Sequence, residues 1–158
     1  MSITFAEFLR DPDLSGADFQ VPTMATWQAL AKVMSGEALT RREVELLKRC
    51  TGLSRLPKNM PVRTLILLCG RRAGKSKFLA AFAVWVALFA QDWREVLSRG
   101  ERGVVLLLSH SKKQAAVLSR YASGSCHLPD IAPYVARLTA DEIEFTNGAV
   151  IEVGVNDD

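Results

Sequence analysis

The residues whose types and spacing promise chemistry are Cys69-Gly70-Arg71-Arg72-Ala73-Gly74-Lys75-Ser76. A phosphate group needs hydrogen-bond donors at close range and positive charge around it. Gly74 lets the backbone come near such a group, the amides at a following helix start point at it, and the helix dipole favours its charge. Lys75 would reach the β and γ phosphates of a nucleotide, and the Ser76 hydroxyl would ligate magnesium. ATP with magnesium is therefore the expected ligand, with Gly70, Ala73, Gly74, Lys75 and Ser76 as its cradle and Ser76 as the metal ligand. Beside Lys75, Arg71 and Arg72 are the catalytic candidates: either pairs with a transferring phosphoryl group or stays in solvent. The string departs from G-x-x-x-x-G-K-[ST] at its first position, where Cys69 replaces glycine, and Gly70 is expected to supply the turn instead.

Such a loop works between a strand and a helix. The apolar run Thr64–Leu68, bounded by Pro61 and Gly70, predicts a strand buried on both faces of a parallel sheet. From about Lys75 the spacing and apolar character predict a buried helix. Its apolar run, Phe78 to Ala90, has 13 residues, against the roughly 20 needed to span a bilayer. Val104 to Leu108 repeats the buried-strand pattern, and Ser111 with Gln114 has the spacing of a capping box before Ala115, Leu118 and Tyr121. Strand, helix, strand, helix implies right-handed βαβ crossovers and an α/β sheet. Ile143-Glu144-Phe145 and Val150-Ile151-Glu152-Val153 flank Asn147-Gly148, a hairpin signal. The last strand of this hairpin is expected to leave an unpaired edge that favours self-association.

Upstream, Asp11-Pro12-Asp13 and Ser15-Gly16 predict an irregular lead. Met24, Trp27, Leu30, Ala31 and Met34 recur at helical spacing until Gly36, and Thr40 with Glu43 caps a second helix carrying Val44, Leu47 and Cys50 until Gly52. Pro57, Asn59 and Pro61 mark residues 53 to 63 as a connection. The expected organisation is a helical lead over 1–60 and a partial P-loop ATPase domain over 61–158. Its fold class is α/β of the P-loop NTPase type: a partial parallel sheet flanked by helices, with the helical lead before it and a β-hairpin at its end.

Composition narrows the function classes. With 49% hydrophobic and 23% charged residues among 158 and a mean hydropathy of +0.11, the chain is not intrinsically disordered. Three cysteines without a CxxC pair and two histidines, His110 and His127, argue against a zinc site or a disulfide framework. The first residues lack a basic stretch followed by an apolar core, so no signal peptide is expected and a cytoplasmic location is. The net charge of +3 is unevenly spread: residues 1–40 sum to −3, residues 41–77 to +9 and residues 78–158 to −3. The basic segment points to a phosphate or nucleic-acid surface, or, around Arg41 to Arg49, to a solvated helix face.

The string Gly70-Arg71-Arg72-Ala73-Gly74-Lys75-Ser76 after an apolar run resembles the GRRSGKS loop of phage terminase large subunits, the ATP-driven DNA-packaging motors. The resemblance extends to Pro22-Thr23 and Trp27, to the helix start at Leu39-Thr40, to Val104–Ser109 with Lys112, Lys113, Gln114 and Ala115, and to the Glu142 to Val153 hairpin, covering most of residues 20–158. It implies an ATP hydrolase that moves double-stranded DNA in the cytoplasm of a bacterial host. The implied partners are the portal protein, a small terminase subunit and further copies of the chain in a ring, with no membrane. Adenine in such ATPases is held upstream of the loop, which nominates Gln20 or Gln28, against a reading of Gln28 as a solvent-facing helix residue. Lys112 and Lys113 stand where related motors touch the DNA backbone, or on an exposed helix turn. Trp27, Trp85 and Trp93 are read as core, and neither histidine as a metal ligand.

Family members continue into a Walker B strand ending in Asp-Glu, a coupling motif and a nuclease domain. These are expected to be missing here, with Asp157 and Asp158 the one acidic pair near a strand end, so the chain is expected to bind ATP with little or no turnover. The alternatives are an inactive prophage remnant or nucleotide-binding interaction module, and another P-loop ATPase such as a helicase.

Overall fold

The helices of the unit Thr4–Ala73 are delimited by their caps. In the computed structural model, which describes residues 3–56, 62 and 64–156, α1 (Phe5–Arg10) opens on a reciprocal pair. The Thr4 hydroxyl accepts from the Glu7 amide at 3.1 Å, and the Thr4 amide donates to the Glu7 carboxylate at 2.7 Å. Asp11 and Pro12 then start the single turn α2 (Pro12–Ser15), and 3-10 turns follow at Ala17–Phe19 and Pro22–Met24. The lead is thus helical from its start rather than irregular. Two caps and the burial of Phe5, Phe8 and Leu9 outweigh the Asp-Pro and Ser-Gly turn signals, each buried side chain adding about 1.5–3 kcal/mol.

Helix α3 (Ala25–Ser35) ends on Gly36 at φ 70° and α4 (Arg41–Thr51) on Gly52 at φ 68°, the left-handed conformation that glycine adopts at least cost. The Thr40–Glu43 capping box forms as expected. Helix α1 packs on α3 and α3 on α4, with Phe19, Trp27, Ala29, Ala31 and Leu47 buried. Lys32 joins α3 to α4 by an ion pair with Glu43 at 2.7 Å. In the connection, Pro57, Asn59 and Pro61 lie outside the described residues.

The expected strand at Thr64–Leu68 does not form: these residues belong to no strand or helix, and Ile66 and Leu68 are 81% and 98% exposed. A strand is stabilised by its ladder and its cross-strand neighbours, and no described strand takes this run as a partner.

The second unit comprises Met1–Ile3 and Gly74–Asp158. Its elements are α5 (Lys75–Leu88), α6 (Trp93–Val96), β1 (Gly103–Ser109), α7 (Lys112–Ser125), β2 (Val135–Leu138), β3 (Glu142–Phe145) and β4 (Ala149–Val155). The α5 and α7 helices, the position of β1 and the β3–β4 hairpin match the sequence expectations, but β1 is a sheet edge with one face exposed rather than a strand buried on both faces, and the sheet is mixed rather than parallel. The sheet order is β1-β4-β3-β2. Strand β1 runs parallel to β4 from Gly103 opposite Ala149 to Ser109 opposite Val155, whereas the β2–β3 and β3–β4 pairs are antiparallel. The fold is therefore mixed α/β with a mixed four-stranded sheet, and its one parallel connection runs from β1 through α7, β2 and β3 to β4.

Gly148, at φ 89°, closes the β3–β4 turn. The Asn147 side chain accepts from the Ala149 amide at 3.0 Å and donates to the Ala87 carbonyl at 2.8 Å. Strand β4 is not the unpaired edge expected of the last strand: β1 and β3 flank it, and the edges are β1 and β2. Helices α5 and α7 pack on each other and on β1 and β4, burying Phe78, Val84, Leu118, Ile143 and Ile151. Val104, Leu106 and Leu108, on one face of β1, stay 47–55% exposed. No helix among the described residues is long and apolar enough to cross a membrane.

Candidate functional site

Strands β1 and β4 end together, the Asn156 amide donating to the Ser109 carbonyl at 2.9 Å. Beside these ends the second unit holds a cleft of about 500 Å³. Lys75, Ser76 and Leu79 of α5 line one side, Gln114 and Leu118 of α7 another, and Leu108, Ser109, His110 and Asn156 complete it. The carboxyl ends of parallel strands are where open α/β sheets place their ligands, because loops and helix starts converge there.

The start of α5 gives this cleft its chemistry. Its N-cap, Gly74, has no side chain to accept from the first amides, and the first α-helical bond runs from the Phe78 amide to the Gly74 carbonyl at 3.0 Å. The helices α1, α4 and α7 all begin with a hydroxyl that accepts from their first turn. At the start of α5, as at that of α3, no side chain caps the helix, so the amides of Lys75 and Ser76 are the donors this helix start can offer a ligand. Gly74 sits at φ 87°, where an L side chain is strained, so glycine is required there by the backbone itself. The first turn is Lys75-Ser76-Lys77 without an acid, the unfavourable charge for a helix N-terminus unless an anion meets it. Lys77 is turned towards α7, its ammonium 5.9 Å from the centre of the Tyr121 ring. What this arrangement can bind is an anion with several acceptor oxygens: amides, one ammonium and one hydroxyl at a single helix start.

No protein-family model, curated protein or solved structure matches the chain.

The rest of the predicted loop, Cys69–Ala73, belongs to the unit Thr4–Ala73. Gly70 opens the turn through Arg71 and Arg72, but the positive φ values lie at Arg72 (61°) and Gly74 (87°), and a Cβ on Gly70 would meet nothing within 4 Å. Arg72 therefore carries local backbone cost that a glycine would not. Arg71 and Arg72 are exposed. The Ala73 carbonyl accepts from the Trp27 indole N–H at 2.7 Å, so Trp27, expected and found in the core, also holds the end of this loop.

Each glutamine nominated for adenine gives one amide N–H to backbone of its own unit. Gln28 donates to the Phe19 carbonyl at 2.5 Å and Gln20 to the Leu9 carbonyl at 2.7 Å; both tie backbone within their own unit. Lys112 and Lys113 are exposed on the first turn of α7. Trp85 and Trp93 are half-buried. Asp157 and Asp158 lie outside the described residues.

Two side-chain findings bear on metals and nucleophiles. Among the described residues no group of three His, Cys, Asp or Glu side chains is placed to hold a metal ion. Burial pushes the Cys126 thiol up to about 11, which keeps it neutral and unreactive at pH 7. For magnesium the cleft offers the Ser76 hydroxyl, while its described lining has no carboxylate. That fits an ion held chiefly by phosphate oxygens and water, with one protein ligand.

Sequence reasoning missed Ser109, His110, Gln114 and Asn156. Ser109 and His110 stand at the end of the apolar run and Gln114 in the helix start that follows it, so the rule that ligands sit beyond strand carboxyl ends would have found them. Asn156 had no such signal, because its place depends on the parallel register of β4 against β1.

Proposed function

We propose that the chain binds the phosphates of ATP in the cleft at the start of α5, as the nucleotide-binding part of a P-loop ATPase of the phage terminase large-subunit type. The observation that carries this reading is the uncapped N-terminus of α5, with Gly74 at φ 87° and Lys75 and Ser76 in a cleft beside the ends of parallel β1 and β4. In this reading the Lys75 ammonium meets the β and γ phosphates, the α5 amides meet the phosphate oxygens, and the Ser76 hydroxyl completes the shell of magnesium. The bound ion would supply charge neutralisation on the β and γ oxygens. Arg71 and Arg72 belong to the unit Thr4–Ala73, and a role for either toward a transferring phosphoryl group rests on the loop's sequence alone. Double-stranded DNA is the macromolecular partner that the basic segment 41–77 supports. The portal protein, a small terminase subunit, a ring of like chains and the host cytoplasm belong to the same proposal through the loop's resemblance.

One observation favours a second outcome for the same site. The cleft's described lining holds hydroxyl, amide, imidazole and ammonium groups and no carboxylate, so binding without turnover, as in a nucleotide-binding module or remnant, is favoured for residues 1–158.

Titration calorimetry with ATP, ADP, AMP and adenosine in magnesium buffer tests the reading. Affinity is expected to fall stepwise as phosphates are removed, with adenosine undetectable. Equal affinity across the four would place recognition on the base and contradict a phosphate site.

A further inference from the structure

The two edges of the C-terminal sheet are β1 and β2, and they are guarded differently. Strand β2 has four residues, a register shift between Val135 and Arg137, and the charge of Arg137 itself. Irregularity and charge of this kind discourage a foreign strand from pairing. Strand β1, Gly-Val-Val-Leu-Leu-Leu-Ser over seven residues, has no charge, no proline and no shift in its register with β4.

The backbone of β1 divides its residues between two sides. The Gly103 amide donates to the Gly148 carbonyl at 3.1 Å, and the Ser109 carbonyl accepts from the Asn156 amide at 2.9 Å, both on the β4 side. Successive residues of a strand alternate, so Val105 and Leu107 also bond towards β4, and the amides and carbonyls of Val104, Leu106 and Leu108 point to the outer edge. Among the described residues no backbone group meets them there. The side chains of the same three residues stand on one face of the sheet, 47%, 55% and 54% exposed. A regular edge with open backbone groups and apolar side chains is a template for another strand.

The sequence of β1 is self-complementary about Leu106. Set antiparallel to a second copy with Leu106 opposite Leu106, it brings Val104 opposite Leu108 at both ends. All of these are then hydrogen-bonded pairs, exchanging both N–H···O bonds, and their side chains form one apolar stripe across the two copies. A shift of two residues would set Val104 against His110 instead. No like charges meet within the strands. At each end Glu101 comes opposite Ser111, beside Lys112, so an acid of one copy stands near a base of the other. Arg102, opposite His110, is already bound to Glu142 and Glu144.

We propose that the outer edge of β1 pairs with the same edge of a second copy of this chain, antiparallel about Leu106, and closes a two-fold dimer. Such a contact occupies both edges and stops at two chains, unlike the head-to-tail contact that builds a ring. It does not depend on nucleotide binding in the α5 cleft.

Sedimentation velocity of the full chain over a range of concentrations tests the pairing. The expected result is a monomer–dimer equilibrium with a species of twice 17.4 kDa. Leu106→Lys sets two ammonium groups opposite each other at the axis and is expected to raise the dissociation constant at least about tenfold; circular dichroism checks its fold. Two further variants read the register without added charge, in a chain with Cys50 and Cys69 replaced by serine. Residues opposite each other in a hydrogen-bonded pair lie about 5.5 Å apart at Cα, within disulfide reach. Leu106→Cys is therefore expected to oxidise to a covalent dimer, and Leu108→Cys, which faces Val104, is not. A wild-type chain that stays monomeric at every concentration would overturn the proposal. So would a dimer or ring that a folded Leu106→Lys variant leaves intact, which would place association on another surface. Equal cross-linking of the two cysteine variants would overturn it as well.

Discussion

Thr64-Leu65-Ile66-Leu67-Leu68 and Val104-Val105-Leu106-Leu107-Leu108 are both short apolar runs bordered by polar loops, and they end in opposite states. The second is strand β1, paired residue by residue with β4. The first has no strand partner among the described residues and turns Ile66 and Leu68 out to 81% and 98% exposure. Composition does not separate them. What does is the company each keeps within its own unit: β1 has β4 as a parallel partner at the edge of a four-stranded sheet, whereas the described elements of Thr4–Ala73 are all helical. Apolar, branched residues fit a pleated, buried surface, but another segment must supply that surface.

The same contrast extends to what holds each unit together. The C-terminal unit rests on sheet burial, with Ile143, Ile151 and Val150 exposed by 2% or less. Among its described residues the helical unit has no sheet, and its polar ties join one helix to the next: Arg10 with Glu37 and Lys32 with Glu43. Those of the C-terminal unit brace the sheet, Arg102 with Glu142 and Glu144 and Arg137 with Glu144.

The largest effect expected from breaking this comparison is in the sheet. Ile151→Ala removes a fully buried side chain opposite Val105 and should cost about 2–4 kcal/mol, whereas Leu68→Ala should change stability by less than about 0.5 kcal/mol. Urea denaturation of the two variants measures both. A Leu68→Ala cost comparable to that of Ile151→Ala would mean that both runs are buried in solution.

A smaller effect sharpens the other half. Burial alone would raise the Glu43 carboxyl, but hydrogen bonds from Lys32 and Thr40 and the Lys32 charge more than offset it, so its pKa is lowered from 4.5. A depressed carboxylate contributes stability that is present above its unfolded value and lost as pH falls through the folded one. Glu43→Gln is therefore expected to cost about 0.5–1 kcal/mol at pH 7 and progressively less as the pH drops below 4.5. Denaturation of the helical unit across that range checks it; a cost independent of pH would mean the amide loses only packing.

Where the sequence was legible, a local signal agreed with its tertiary surroundings. Helix α4 lies between Thr40 and Gly52, and the hairpin turns at Asn147-Gly148, because caps and turn residues act within a few positions. Helix α1 is equally local, its Thr4 and Glu7 standing at capping-box spacing, but the Asp-Pro and Ser-Gly turn signals beside it point the other way. Strand β2 has only four residues and a register shift between Val135 and Arg137, too little for periodicity to show. The interior place of β4 and the contribution of Asn156 to the cleft depend on a pairing across more than forty residues, which no local pattern encodes. Of the site itself, Gly74, Lys75 and Ser76 were legible as a motif, and the α7 and strand-end side of the cleft was not.

The central claim is that the uncapped start of α5 binds nucleotide phosphate through Lys75. Calorimetry of ATP with magnesium on the wild-type chain, Lys75→Ala and Lys75→Arg, each checked for folding by circular dichroism, tests it most directly. Lys75→Ala is expected to lose at least about 1.4 kcal/mol of binding, a tenfold fall in affinity, with partial retention in Lys75→Arg, whose guanidinium keeps the charge but not the shape. Wild-type affinity in a folded Lys75→Ala variant would contradict the account.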